Sequence, residues 1–347
     1  GTAAPMGMRL NLNGGTVMGS FFISQATQSP AVTLRVNNQT SGSTWGLYLD
    51  EGNAQNLANT SAAIDQNGGS SWSPTANAIA NNRQLNIWGR AGIDIDVVQR
   101  TYAYGVMLRA NLLAETGSID IHTGNKAIYF NGSSVRASYL GAAPNSPVTS
   151  SSADIRITTS YTIAEEYTYL YTNGRISLEP STGNNFDSDI YFPRSLTEIG
   201  NAQNVPAGFK IGNFVPGSGD GLGYNGTRYI EINRAFSTSG PVEINGRTVR
   251  WYQPIISGGQ FTVRSETITY ADGSVTVTGR DQDLRIYSED MIYNRAGGYR
   301  FQTNGGNILF GSNADNTGAG HIQIGSGNIF NTANGTSQVN YNTQSGN

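Results

Sequence analysis

GGNILFGSNADNTGAGHIQIGSGNIF, residues Gly305–Phe330, contains three short apolar blocks separated by glycines and small polar residues. The blocks are ILF (308–310), IQI (322–324) and IF (329–330). In the first two blocks apolar residues stand two positions apart, which is the period of a β-strand and not that of a helix. The stretch therefore predicts very short strands joined by glycine-rich corners, at which glycine readily adopts positive φ.

Similar blocks recur upstream with a common period of about two dozen residues. One series starts at Phe261, Leu284 and Ile308, with steps of 23 and 24 residues. A second series starts at Val275, Tyr299 and Ile322, with steps of 24 and 23 residues. Two series that share one period predict two strands in each turn of a repeating structure.

Less regular blocks of the same kind extend over the rest of the chain. They are LNL (10–12), LRV (34–36), LNI (85–87), IDI (93–95), IDI (119–121), IYF (128–130), IRI (155–157), ISL (176–178), IYF (190–192), FKI (209–211), IEI (230–232) and VEI (242–244). A single turn of this kind cannot bury its apolar side, whereas stacked turns form a continuous interior.

The predicted fold class is all-β, a right-handed parallel β-helix (solenoid) of roughly 20–24-residue coils with loop excursions. The alternative is a β-sandwich, which also has short strands with frequent turns but predicts no shared long period. The inward faces of the strands are expected to hold Ile308 and Ile322, while Leu309 and Gln323 are expected to point away from the interior.

Composition excludes several classes of protein. Charged residues make up 13% of the 347 residues, about half of the usual share, and the net charge is −3. The slight negative charge argues against binding to nucleic acid, which requires a basic surface. No stretch approaches the ~18 apolar residues of a membrane span, so no membrane insertion is expected. Cysteine is absent, which excludes disulfides and thiol catalysis.

The pattern divides the chain into three predicted segments. Residues 1–150 are predicted to form N-terminal β-rich coils, with an Ala/Asn-rich excursion at about 51–83. Residues 151–330 are predicted to form regular coils, interrupted by a glycine-rich loop at 213–227. Residues 331–347 are rich in Asn, Thr, Ser and Gln, and they are predicted to form a polar tail or a final loose coil.

Several phrases resemble passages of large bacterial exoproteins, the filamentous haemagglutinin-type adhesins. These phrases are DIRITTS (154–160), TNGRISLEPSTGNNFDSDIYFP (172–193), AGFKIG (207–212), STSGPVEINGR (237–247) and, in the N-terminal half, NLLAETGSIDIHTG (111–124). The resemblance implies an extracellular β-helical shaft or adhesin segment. The chain contains no Asn-Pro dipeptide, whereas the secretion domain of that family carries Asn-Pro-Asn motifs, so we do not identify this segment as the secretion domain.

Residues with reactive side chains are few and scattered. The two histidines, His122 and His321, each lie beside a predicted strand and are interpreted as structural. Three Asp-x-Asp pairs suit calcium binding or glycoside hydrolysis by residue type, but no calcium-loop motif accompanies them. The pairs are Asp94/Asp96, Asp187/Asp189 and Asp281/Asp283, the last with Glu289 and Asp290 nearby. We predict no catalytic, cofactor-binding or metal-binding residue and no cofactor.

Aromatic residues are the remaining candidates for binding. Tryptophans 45, 72, 88 and 251, or the tyrosines at positions 167, 169 and 171, could stack on sugar rings. The favoured interpretation is that Tyr167, Tyr169 and Tyr171 share one face of a strand and form a ladder that packs across coils.

The sequence predicts a non-enzymatic structural or adhesive module of a secreted or cell-surface bacterial exoprotein, located extracellularly. The alternatives are a subunit of a self-assembling extracellular filament and a β-helical carbohydrate-active enzyme of the polysaccharide-lyase or tailspike kind. The expected partners are a host-surface or carbohydrate receptor and further copies of the chain, associated head to tail.

Overall fold

The structure is a computed structural model, and it describes most of the chain. Residues outside the description are 1–7, 13–14, 19–20, 25, 37–44, 51–84, 98–103, 109, 125–126, 131–137, 145, 160, 165–166, 180–187, 193–197, 214–226, 295–296, 313–319, 334–338 and 344–347. The predicted excursion at 51–83 and nearly all of the predicted loop at 213–227 therefore lie outside the described residues, as does part of the predicted tail.

Every helix or strand among the described residues is a β-strand, which confirms the all-β class. The first sixteen are β1 (Met8–Leu12), β2 (Gly15–Met18), β3 (Phe21–Ser24), β4 (Val32–Val36), β5 (Trp45–Asp50), β6 (Leu85–Gly89), β7 (Ile93–Val97), β8 (Tyr104–Leu108), β9 (Ala110–Leu113), β10 (Ser118–Thr123), β11 (Ala127–Phe130), β12 (Ser138–Gly141), β13 (Asp154–Thr158), β14 (Tyr161–Ala164), β15 (Thr168–Tyr171) and β16 (Arg175–Glu179). The others are β17 (Ser188–Phe192), β18 (Glu198–Ile199), β19 (Gly208–Ile211), β20 (Thr227–Ile232), β21 (Phe236–Thr238), β22 (Val242–Trp251), β23 (Ile255–Ser257), β24 (Phe261–Ala271), β25 (Val275–Arg280), β26 (Leu284–Ser288), β27 (Met291–Asn294), β28 (Arg300–Asn304), β29 (Ile308–Ser312), β30 (His321–Ile324), β31 (Ile329–Asn331) and β32 (Val339–Thr343).

The chain divides into two compact units. Unit 1 comprises residues 1–174 and 195–204, and unit 2 comprises residues 175–194 and 205–347. The division predicted from the sequence, at 150/151, was drawn on the regularity of the coils and stays a prediction.

Unit 1 contains three ladders of parallel strands, in which each strand pairs with the strand three positions later. The first ladder is β1-β4-β7-β10-β13, the second is β2-β5-β8-β11-β14, and the third is β3-β6-β9-β12-β15-β18. Parallel pairing and the short strands of the prediction are thus confirmed.

Unit 2 is also built from three parallel ladders. The first is β16-β19-β22-β24-β26-β29-β32, the second is β17-β20-β22-β24-β27-β30, and the third is β21-β23-β25-β28-β31. The long strands β22 and β24 belong to two ladders, because their first halves pair in the first ladder and their second halves pair in the second.

The first predicted series is confirmed; in the second, VTV (275–277) does pair with the block that ends at Phe301, two residues away from the predicted register, and the step to Ile322 is wrong. Phe261 lies opposite Leu284, and Leu284 lies opposite Ile308, so the steps of 23 and 24 residues are those of the first ladder. Val275, in contrast, lies opposite Phe301 in the third ladder, while Ile322 lies opposite Ile292 in the second. The second series combined two ladders, because the strands of unit 2 form three ladders and not two.

The interior is formed by like residues stacked from strand to strand. In unit 1, Ile93, Ile119 and Ile155 are register partners, and all three side chains are fully buried. Each buried aliphatic side chain contributes ~1.5–3 kcal/mol relative to an exposed one. Because side chains alternate along a strand, every second residue is buried and adds a similar stabilisation. Polar residues occupy the outward positions between the buried ones.

The predicted inward and outward positions in the opening stretch are largely confirmed. Ile308 is fully buried and Leu309 is half-buried, as the alternation requires. Gln323 is exposed, but Ile322 is only half-buried, so the prediction that it is buried is wrong. The reason is that β30 pairs with β27 along one edge, and within the described residues no strand pairs with its other edge.

Glycine is required where one strand end approaches the next. Gly212 has a φ of 73°, and a Cβ built on it would lie 2.0 Å from the carbonyl oxygen of Asn245. Gly117 has a φ of 78°, and its Cβ would lie 2.1 Å from the carbonyl oxygen of Ala91. These contacts support the expectation that glycines at block ends form the corners of the stack.

Candidate functional site

The second ladder of unit 2 has one buried and one partly exposed face. Its buried face includes Ile190, Ile230, Val249, Thr269 and Ile292, which are register partners on successive strands and are at most 2% exposed. Because side chains alternate along each strand, the residues beside them point outward. The interior therefore fixes which side chains this face presents.

The outward positions carry tyrosines on successive strands. Tyr191 lies on β17, Tyr229 on β20, Tyr270 on β24 and Tyr293 on β27, while Tyr252 directly follows β22. We call these five residues the tyrosine row. All five side chains are half-buried, so each remains partly accessible. The ring centroids of Tyr191 and Tyr229 are 5.3 Å apart, and those of Tyr270 and Tyr293 are 6.0 Å apart.

Arg250 occupies the middle of the tyrosine row. Its guanidinium carbon lies 4.2 Å from the ring centroid of Tyr252 and 5.0 Å from that of Tyr270, within the range of cation–π attraction. Its Nη2 also donates a hydrogen bond of 3.5 Å to Oδ2 of Asp272, which is 4% exposed. These contacts hold the guanidinium between two rings and limit its motion.

Glu231 holds a second tyrosine in place. The hydroxyl of Tyr229 donates a hydrogen bond of 2.7 Å to Oε2 of Glu231, and Nδ2 of Asn233 donates one of 2.8 Å to Oε1. Burial, followed by the hydrogen bond to the Glu231 carboxylate, raises the pKa of Tyr229 well above its usual range. The hydroxyl of Tyr229 therefore remains protonated at neutral pH.

Arg228 and Asp189 form a bidentate ion pair beside the row. Nε of Arg228 donates to Oδ1 of Asp189 at 2.9 Å, and Nη2 donates to Oδ2. Asp189 is 4% exposed, so the arginine covers its carboxylate. Asp189 was one half of a predicted Asp-x-Asp pair; its partner Asp187 lies outside the described residues, and Asp189 itself is engaged by the arginine.

The tyrosines singled out by the sequence lie elsewhere, in the third ladder of unit 1. Tyr139 and Tyr169 are register partners, and their rings stack with centroids 4.6 Å apart and planes 14° apart. The ring of Tyr171 is 5.5 Å from that of Tyr169, and its hydroxyl donates to Glu198 at 2.5 Å. The predicted packing across coils is confirmed for Tyr169, whereas Tyr167 lies in a turn with a φ of 58° and not in the strand.

Two tryptophans proposed for sugar stacking can be placed. Trp251 is fully buried, and its Nε1 donates to the carbonyl oxygen of Gly273 at 2.9 Å, so it belongs to the core. Trp88 is half-buried and packs against the cluster that contains Leu113 and Tyr171. Trp72 lies outside the described residues, and the side chain of Trp45 is also outside them.

The first ladder of unit 1 brings acidic residues together across strands. Asp94 lies opposite Asp120, and Asp96 lies opposite His122. Burial, then repulsion by Asp96, raises the pKa of Asp94, and Asp120 adds to the rise. Arg35 and Arg156 flank the cluster, at 3.9 Å from Asp94 and 3.6 Å from Asp120. His122 was interpreted as structural, and the register places it in this cluster.

The third predicted pair, Asp281/Asp283, has a separate set of partners for each carboxylate. Asp281 is exposed at a corner with a φ of 56°, and its nearest cation is Arg280 at 3.5 Å. Asp283 accepts hydrogen bonds from Arg285 and from the backbone N–H of Asn307, at 2.8 Å. Its role is to join two neighbouring strands. Within the described part of the chain, no group of three or more His, Cys, Asp or Glu residues could hold a metal ion.

Comparison of the chain with protein-family models, curated proteins and solved structures finds no match. The resemblance to filamentous haemagglutinin-type adhesins thus depends on the quoted phrases, and the parallel β-structure is compatible with it. In the part of the chain that the structure describes, no helix is long and apolar enough to cross a membrane.

The tyrosine row was missed by sequence reasoning. Tyr191 and Tyr293 stand next to inward isoleucines, in IYF (190–192) and MIYN (291–294), so their outward direction was readable from the alternation. The alternation could not show that the five tyrosines lie near one another, because they are unevenly spaced along the chain. Only the pairing of the strands places them side by side.

Proposed function

We propose that the chain is a right-handed parallel β-helix that serves as a non-enzymatic structural and adhesive module of a secreted or cell-surface bacterial exoprotein. The β-helix is supported by three parallel ladders in each unit, with each strand paired three strands later in unit 1 and two or three strands later in unit 2. The right-handed sense is supported by the strong preference of parallel crossovers for that hand.

The adhesive role is carried by one observation, the tyrosine row on a face of parallel strands. Amphipathic aromatic side chains that remain partly accessible are typical of recognition surfaces, because they bury large areas at a small entropic cost. The row lies over fully buried residues such as Ile230 and Val249, and this support holds the rings in position before a receptor binds. The receptor is proposed to be a host-surface molecule or a carbohydrate, encountered outside the cell.

The β-helix is tested by cross-linking register partners in a chain that has no native cysteine. Arg285 and Leu309 are outward-facing partners on β26 and β29, and neighbouring strands lie about 4.8 Å apart, which suits a disulfide. The double variant Arg285→Cys/Leu309→Cys should therefore form an internal disulfide rapidly. The matched control is Arg285→Cys/Gln323→Cys, whose residues lie in different ladders, and equal rates in the two variants would contradict the arrangement.

The adhesive function is tested with beads coated with the purified chain. Coated beads should bind to host epithelial cells, and the double variant Tyr252→Ala/Tyr270→Ala should reduce the bound fraction. Tyr287→Ala is the matched control, because Tyr287 is a half-buried tyrosine of the first ladder of the same unit. Wild-type beads that bind no better than beads coated with serum albumin would refute the adhesive role.

A filament subunit is the second candidate, and the exposure of Ile329 favours it. Ile329 is 49% exposed on β31, which pairs with β28; among the described residues no strand pairs with its other edge. An apolar residue on an open edge can take part in edge-to-edge pairing. Head-to-tail contacts of this kind can propagate into filaments.

A further inference from the structure

We propose that the tyrosine row of unit 2 binds a neutral, linear polysaccharide lengthwise, so that the polymer crosses successive strands. The inference rests on the adhesive function proposed above and specifies its ligand. It depends on three properties of the row: the chemistry of its side chains, their arrangement across strands and the pairing of the charges between them.

The side chains of the row match the two kinds of surface on a sugar ring. A pyranose presents C–H groups on its faces and hydroxyl groups around its edge. Tyrosine rings offer apolar faces to the former, and their hydroxyls can exchange hydrogen bonds with the latter. Glu231 and Arg250 lie between the rings, so acceptors and donors for sugar hydroxyls alternate with the aromatic faces.

The arrangement across strands selects a polymer over a single sugar. The tyrosines lie on or directly after five successive strands of one ladder, and neighbouring strands are spaced by about 4.8 Å, so the row extends for about 19 Å. A chain of several sugar units can contact such a row at several rings at once. After one sugar unit of a polymer has bound, the next units bind intramolecularly, so several weak stacking contacts together give a higher affinity than any one of them.

The charges beside the row favour a neutral polymer. Arg228 is engaged by Asp189, and Arg250 is held by Asp272 and by two tyrosine rings. With Glu231 included, these residues comprise three carboxylates and two guanidinium groups. Among these described residues carboxylates outnumber guanidinium groups, and both guanidinium groups are already engaged, so binding of a sulfated or uronic-acid polymer is disfavoured.

The test is affinity electrophoresis of the whole chain through native gels that contain neutral polysaccharides, with dextran, pullulan, galactomannan and xyloglucan as the panel. At least one should retard the wild type. Tyr252→Ala/Tyr270→Ala should weaken that retardation by roughly tenfold in apparent dissociation constant, because two rings that flank Arg250 are removed. Tyr252→Phe/Tyr270→Phe should retain most of it, and the control Tyr287→Ala should behave as the wild type. Melting curves of all variants show whether the fold is retained.

A length series tests the lengthwise arrangement. Oligosaccharides prepared from the retarding polymer should bind more tightly as they lengthen, until they span the row, and then reach a constant affinity. An affinity independent of length would refute lengthwise binding. Retardation by none of the panel, or by dextran sulfate more than by dextran, would refute the inference as a whole. Beads that still adhere to cells in that case would leave the adhesive function standing with a ligand of another class.

Discussion

Replacing Phe261 by alanine should cause a large loss of stability in unit 2. Phe261 is fully buried on β24, between its register partners Val242 and Leu284, and its ring centroid lies 5.9 Å from that of Trp251 in an edge-to-face contact. Truncation removes the buried ring and leaves a cavity between two strands. Buried Phe→Ala changes lower the free energy of unfolding by ~3–5 kcal/mol, and this total includes the lost contact with Trp251.

The measurement is equilibrium unfolding in urea, followed by tryptophan fluorescence, because the indole of Trp251 directly adjoins the mutated ring. The matched control is Arg264→Ala, three residues later on the same strand at an exposed position. A surface change of this kind should shift the free energy of unfolding by less than about 0.5 kcal/mol. Similar losses of stability for the two variants would refute the assignment of inward and outward faces on β24.

Three further outcomes are expected. Burial and repulsion by Asp96 raise the folded-state pKa of Asp94, so the folded chain binds this proton more tightly than the unfolded chain, and stability falls as pH rises from about 3.8 through the folded-state pKa. Asp94→Asn should therefore be more stable than the wild type in urea at pH 7, with a smaller difference in stability at pH 4. The same difference at both pH values would contradict the repulsion. Gly212→Ala should lower the melting temperature, since the new Cβ would clash with the carbonyl oxygen of Asn245 at positive φ, whereas Gly124→Ala, with open space around its Cβ, is the control. If filaments form through β31, Ile329→Lys should abolish concentration-dependent sedimentation, and a wild type that stays monomeric at all concentrations would remove the filament candidate.

The choice of face within each strand could be read from local sequence. In IDI (93–95) and IDI (119–121) the isoleucines are two positions apart, and the strand period alone places both on one side. The same argument identified Ile308 as buried and Leu309 as outward. The step from Phe261 to Leu284 to Ile308 was also readable, because these register partners are 23 and 24 residues apart in the sequence.

Local sequence could not reveal which strands are neighbours when the connections differ in length. Val275 pairs with Phe301 in one ladder and Ile322 pairs with Ile292 in another, and the strands of these ladders are unequally separated in the sequence. A period in the sequence is a number of residues, whereas strand pairing depends on which strands the backbone path places side by side. The half-burial of Ile322 has the same origin, since burial requires a neighbour on both sides of a strand.

Residue types, strand period and composition were enough to indicate an all-β chain with stacked parallel strands. The tyrosine row and the cluster of Asp94, Asp96, Asp120 and His122 exist only through the register between strands distant in sequence. Side chains on one strand are related by covalent geometry, which is local. Side chains on neighbouring strands are related by hydrogen bonding between strands distant in sequence, and the lengths of the intervening loops determine which of them meet.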